Sequence, residues 1–169
     1  MSKIFNKIKF LLRRPRVVVV SNENRQMAKE AIYQVLRQHF RVGNEVLIFE
    51  ANATELENFQ FFLKKSPFSV LVSTQGWVEI QEKKVGSKKL TFGFQEGADF
   101  QASDIKVNGG TNFKINHKGN IVPVWLGGVA NQNQIYSALA AVVVGTIFGL
   151  NLVEISQALT LRQIAQRQP

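Results

Sequence analysis

The side chains most often used for catalysis and metal binding are scarce in this 169-residue chain. There is no cysteine, which excludes a thiol nucleophile, a thiolate metal site and a disulfide framework. His39 and His117 lie far apart, and neither has acidic or histidine partners at ligand spacing, so no metal site is expected. Lys83, Lys84, Lys88 and Lys89 form a basic cluster without a base-stacking aromatic pattern beside it. Such clusters are usually solvated, and no specific nucleic-acid binding is expected.

The formal charge of +9 is unevenly spread. Residues 1 to 16 hold six basic residues (Lys3, Lys7, Lys9, Arg13, Arg14 and Arg16) and no acid, which leaves 15 basic against 12 acidic residues elsewhere. Ile4, Phe5, Ile8, Phe10, Leu11 and Leu12 interleave with these charges, so the arm reads as a short helix with one apolar and one cationic face. It could lie on an anionic membrane surface, or pack on its own domain, or fray. No apolar run reaches the roughly 20 residues of a membrane span. Arg13, Arg14, Pro15 and Arg16 stand where a signal peptide would need small residues.

The elements that must position any site read clearly up to about residue 76. Val17 to Val20 is a β-branched run suited to a strand buried on both faces. Met27, Ala31, Ile32, Val35, Leu36 and Phe40 recur at spacings of three and four, which predicts a helix over 26 to 40. Val46 to Phe49 and Phe68 to Ser73 read as two further buried strands, with a helix around Leu56 to Leu63 that Ser66 and Pro67 end. Strands alternating with helices predict βαβ units and a parallel sheet.

Beyond Gly76 the pattern changes to alternating strands. Phe100 and Ala102, then Ile105 and Val107, alternate with a change of phase between them. Asn108-Gly109-Gly110 and His117-Lys118-Gly119-Asn120 read as hairpin turns. Ala138 to Leu150 is a nearly uninterrupted apolar run, suited to a buried helix. Asn151 with Glu154 predicts a capping box that opens a short helix through Leu159. The expected class is α/β, a mostly parallel P-loop-like sheet flanked by helices with an antiparallel hairpin region appended. The expected divisions are a basic arm over 1–16, one domain over 17–160 and a polar tail over 161–169.

The order RRPRVVVVS, AKEAIYQVL, VLIFEAN, LTFGF and QIYSALAAVVVGTIFGL resembles the central ATP-binding domain of the Mur ligases over about residues 14 to 160. The closest branch is the one that adds D-alanyl-D-alanine during peptidoglycan synthesis. In that family the first strand runs into a phosphate-binding loop G-S-N-G-K-T-T, and the helix continues T-K-E-A. Matching Ala28-Lys29-Glu30-Ala31 to that helix lays Ser21, Asn22, Glu23, Asn24, Arg25, Gln26 and Met27 over the loop. Ser21 and Asn24 then replace glycines, Arg25 the lysine and Gln26 the magnesium-binding threonine, while Glu23 brings a negative charge toward the phosphate position. Glycines let backbone N–H groups close on phosphate, and arginine is a poor replacement for lysine where geometry is tight.

Glu50 matches the acid that helps to hold magnesium in the family; its other reading is a solvated, idle carboxylate at a strand end. Ser73-Thr74-Gln75-Gly76-Trp77-Val78-Glu79 keeps the glycine of the family's T-N-I-G segment but not the histidine that follows. The segment carrying the carbamylated lysine is expected to be deleted, and both flanking domains to be missing. The adenine-contacting H-N-x-x-N-A-L-A-A falls on Asn133, Gln134 and Ser137, where Gln134 still offers an amide to an adenine edge but the histidine and the second asparagine are gone.

The resemblance therefore implies a cytoplasmic, bacterial, noncatalytic relative without cofactor. It would act as a binding or scaffolding partner linked to cell-wall synthesis, or survive as a gene remnant. Self-association or a protein partner is expected to cover surface left by the missing neighbours, and the arm places a second expected location at the inner membrane face. The other reading is the ATP-binding part of a peptidoglycan-precursor amino-acid ligase, using ATP and Mg and completed by other chains.

Overall fold

A computed structural model describes the backbone of residues 2 to 167 and the side chains of residues 7 to 160. The three expected buried strands are β1 (Arg16–Ser21), β2 (Val46–Ala51) and β3 (Phe68–Ser73), joined in the parallel order β2-β1-β3. Helix α1 (Ser2–Arg13) precedes them, α2 (Arg25–Leu36) links β1 to β2, and a 3-10 turn (Leu56–Phe59) with α3 (Gln60–Lys65) links β2 to β3.

The sheet then continues without a break through β4 (Trp77–Glu82), β5 (Gly86–Gly93), β6 (Phe100–Val107), β7 (Gly110–His117) and β8 (Asn120–Gly127). These strands pair antiparallel except for a two-residue parallel junction of β5 with β6 at Phe92 and Gly93. The α/β class and the flanking helices hold, but the sheet is mostly antiparallel, which corrects the expected mostly parallel sheet. The reason is connection length. β3 returns directly through a tight turn as β4, and hairpins permit only antiparallel neighbours.

The change of phase between Ala102 and Ile105 is a bulge: the register of β6 on β7 shifts between Ser103 and Lys106, and Asp104 takes φ +51°. The turn after β7 places Lys118 and Gly119 at φ +48° and +80°, the doubly positive geometry of a type I′ hairpin.

Alternation along β1 divides the core. Val18 and Val20 face a layer of α2, α4 (Gln132–Ile147) and α5 (Leu152–Arg167). Val17 and Val19 face Phe10 of α1 and Leu63 of α3. The result is a helix–sheet–helix sandwich around β1, all of whose valines are buried. The apolar run expected as a buried helix begins six residues earlier, because Asn131 and Gln134 form a full capping box ahead of it. α2 ends at Leu36, and Phe40 packs against the core after the helix has stopped. The expected Asn151–Glu154 box is present, and α5 runs on to Arg167.

Among the described side chains of α1, Phe10 docks the helix. Phe10 is 4% exposed and meets the Phe62 ring edge-on at 4.9 Å, while Lys7 Nζ sits 4.8 Å from the centre of the Phe61 ring. Burying one such phenylalanine contributes about 1.5–3 kcal/mol. Arg14 ends the helix at φ +48°, ahead of Pro15. Among the described residues no helix is long and apolar enough to cross a membrane.

Candidate functional site

The C-terminal ends of the three parallel strands meet the N-terminus of α4, where open α/β sheets bind ligands. An open cleft of about 420 Å³ lies there, lined by Asn22, Glu23, Asn24, Arg25, Asn52, Thr74, Gln75, Asn133, Tyr136 and Ser137. A second cleft of about 460 Å³ shares Asn24 and is lined by Gln26, Met27, Glu30, Leu126, Ala130 and Gln134. Both volumes lie within the usual range of small-molecule sites, about 300–1,000 Å³.

The loop from Ser21 to Arg25 carries two non-glycine residues in the left-handed region, Asn22 at φ +75° and Asn24 at +59°. Asparagine tolerates this conformation better than other residues with a side chain, which explains how the turn forms without glycine. Asn24 caps α2 by backbone position only, since its side chain makes no capping bond. The first bond into the helix is Ala28 N–H to Asn24 O at 3.2 Å. The N–H groups of Arg25, Gln26 and Met27 thus open the helix ahead of any intrahelical acceptor.

The loop is fastened to the end of β3. Thr74 Oγ1 lies 2.5 Å from Glu23 O and 3.3 Å from Ser21 O, Thr74 N–H also donates to Ser21 O, and Asn22 Nδ2 donates to Ser73 Oγ at 2.6 Å. Ser21 itself is buried, with Oγ donating to Val72 O. Arg25 turns back on its own loop, Nη1 lying 3.4 Å from Asn22 O. Glu23 and Arg25 are the charged residues lining the first cleft, so its formal charge cancels.

Gly76, the surviving glycine of the segment after β3, is fixed by sterics. It has φ +114°, and a Cβ there would stand 2.7 Å from the Phe92 carbonyl oxygen. Its own carbonyl accepts from Phe92 N–H at 2.8 Å. The glycine is required for the β3–β4 turn to meet β5, whatever the cleft does.

The fold brings Asn22, Asn24 and Arg25 together with Asn133 and Ser137, more than a hundred residues away in sequence, and places Gln26 and Gln134 together in the adjoining cleft. Gln134 is already engaged in the capping box of α4, where its Oε1 accepts from Asn131 N–H at 2.8 Å. Ser21 and Glu50 do not line either cleft. Glu50 is exposed on β2, and the wall contributed by that chain segment is Asn52 and Ala53. The histidines are elsewhere. His39 Nε2 lies 3.9 Å from Glu154, and His117 stacks at 3.7 Å on Phe100 with Nδ1 2.7 Å from Asp99 O.

Sequence reasoning assigned no role to Asn52, Thr74, Gln75 or Tyr136. The first three lie in strand-end turns whose types are ordinary for turns. Tyr136 sits on the first turns of α4, held by Phe92 and Phe94 at ring-centre distances of 5.9 and 5.2 Å.

The fold around this cleft is similar to that of solved Mur ligases. MurF from Acinetobacter baumannii superposes with a TM-score of 0.64 at 12% identity, covering 91% of this chain and 47% of that one. The MurF ligase from Thermotoga maritima, solved in complex with ADP, gives 0.57 at 15% identity over 92% and 52%. By sequence, the UDP-N-acetylmuramate–L-alanine ligase of Chlorobaculum parvum is 33% identical over 98 residues, 56% of this chain and 21% of that protein. No family model matches. The chain thus spans about half the length of the solved ligases, and the matched stretch about a fifth of the curated relative. Its fold is similar to that of the solved MurF ligases over about half of their length, and over 98 residues its sequence is similar to that of a UDP-N-acetylmuramate–L-alanine ligase.

Proposed function

We propose that this chain is a noncatalytic, diverged counterpart of the Mur ligase central domain, closest to the D-alanyl-D-alanine-adding branch. It acts as a binding or scaffolding partner in cell-wall precursor synthesis on the cytoplasmic side, and needs neither ATP nor magnesium.

The observation that supports this most is the fastening of the Ser21–Arg25 loop. Phosphoryl transfer depends on positioning and on stabilising developing charge. In this cleft the loop carries no lysine or threonine, Glu23 offsets Arg25, and Arg25 leans on its own backbone. Thr74 and Ser73 hold the loop by hydrogen bonds that any rearrangement around a polyphosphate would have to break. The core shows no matching decay, since Val17 to Val20 of β1 and Ala138 to Val144 of α4 are buried with no charge among them. A partner, or a second copy, has the edge of β2 beyond its single bridge from Val42 to Val46, whereas the opposite edge strand β8 is blunted by the exposed Pro123.

A second reading, a nucleotide-binding subunit completed by other chains and using ATP with Mg, is favoured by the uncapped N–H groups at the start of α2 beside Arg25. Thermal unfolding with and without millimolar Mg-ATP separates the two. Ligand at 100 times its dissociation constant adds about 2.7 kcal/mol, which at about 2–4 °C per kcal/mol for this size raises Tm by roughly 5–11 °C. The noncatalytic reading expects an unchanged Tm; a rise of that size supports the second.

A further inference from the structure

The orientation of α1 is the reverse of that of an ordinary surface helix. Phe10 points into the domain at 4% exposed, whereas Ile8 and Leu12 are 53% and 81% exposed and Leu11 is 45% exposed. Ile8 and Leu12 are four residues apart and share a face, and Phe10, two residues from each, lies on the opposite side of the helix. Among the described side chains of α1, Phe10 therefore holds the helix to the domain while an aliphatic strip is held outward. Lys9, Arg13 and Arg14 are exposed beside that strip, and α1 carries no acidic residue.

We infer that the outward face of α1 is a docking surface for an anionic lipid bilayer, on which the domain sits peripherally. An aliphatic strip flanked by bases is the pattern of a helix lying in the interface, its apolar side chains among the acyl chains and its cations at lipid phosphates. A protein partner fits less well. The three aliphatic side chains among the described residues of α1 fall far short of the roughly 800 Å² per partner that a stable protein interface buries, whereas shallow insertion needs no complementary surface. The basic excess of the arm has no acidic counterpart within the arm and complements a phosphate surface. Because Phe10 and Lys7 fix the helix against α3, the strip is presented at a set orientation and does not depend on what the cleft binds.

The test is sedimentation of the full chain with vesicles of equal parts phosphatidylglycerol and phosphatidylcholine, and with vesicles of phosphatidylcholine alone. Binding to the anionic vesicles is expected, at least about tenfold stronger than to the neutral ones and weakened by salt. Ile8→Ser with Leu12→Ser, at positions exposed enough to leave folding intact, is expected to lower the partition at least about tenfold with unchanged circular dichroism and melting. Lys9→Gln with Arg13→Gln is expected to remove the preference for anionic lipid. Failure to bind anionic vesicles, binding unaffected by the serine pair, or a lipid-free dimer that the serine pair dissolves would each overturn the inference, the last by making the strip a protein interface.

Discussion

The hydroxyl of Thr74 lies 2.5 Å from the carbonyl oxygen of Glu23, joining the turn after β3 to the loop after β1 across 51 residues of sequence. Two parallel strands thereby share one closed rim. Thr74→Val removes the bond and leaves the exposed Glu23 carbonyl to water, at a cost of about 0.5–1 kcal/mol, or roughly 1–4 °C in Tm. Thr74→Ser retains the donor and is expected to stay within about 0.5 kcal/mol of the parent. A loss by thermal unfolding in Thr74→Ser but not in Thr74→Val would show that the methyl group, not the hydroxyl, matters.

Asn24 sits at φ +59° without a side-chain capping bond, so its value lies in tolerating the left-handed region. Asn24→Ala is expected to destabilise by about 1 kcal/mol, and Asn24→Gly to be neutral within about 0.5 kcal/mol. Urea unfolding of the two variants side by side reads the difference. Identical midpoints would mean that the loop relaxes out of this conformation.

Gly145 lies where α4 crosses its neighbours: a Cβ there would stand 2.9 Å from both Val35 of α2 and Ile155 of α5. Alanine is the better helix former by about 1 kcal/mol, but overpacking a filled core costs typically about 1–3 kcal/mol. Gly145→Ala is therefore expected to lower stability by up to about 2 kcal/mol, measured by chemical unfolding. A gain in stability would mean that the three-helix junction has slack.

Lys114 Nζ lies 2.8 Å from Asp104 at the bulge of β6, and this hydrogen bond, with the charge of Lys114, holds the Asp104 carboxyl below its ordinary value. A depressed folded value gives a contribution present above the unfolded value and lost as pH falls through the folded one. Carboxyl NMR titration should show Asp104 titrating lower than an unpaired aspartate, and Lys114→Met should return it upward. Both groups are about half exposed, so the shift should shrink with added salt.

The parallel half of the fold was legible because Val17 to Val20, Val46 to Phe49 and Phe68 to Ser73 are buried on both faces and show it as unbroken apolar runs. The bulge at Asp104 was legible as a change of phase. The extent of the antiparallel sheet was not: β4 and β5 are half exposed, and Lys83 to Lys89 mask their alternation as a charged loop. In the cleft, the placing of Asn22 and Asn133 in one lining was implied by the family resemblance, not by composition or spacing. Glu50 fell outside because it still belongs to β2, and the chain turns over the sheet only at Asn52. Thr74 escaped notice because a threonine in a turn signals nothing until its partner is known.

The central claim is that the fold has kept its shape while the cleft no longer takes up Mg-ATP. Calorimetric titration at physiological salt tests it on two proteins, the chain itself and a variant with Ser21→Gly, Asn22→Ser, Glu23→Asn, Asn24→Gly, Arg25→Lys, Gln26→Thr and Met27→Thr. No binding by the chain, with binding gained by the variant, is the predicted result. Micromolar binding by the unaltered chain would contradict the claim.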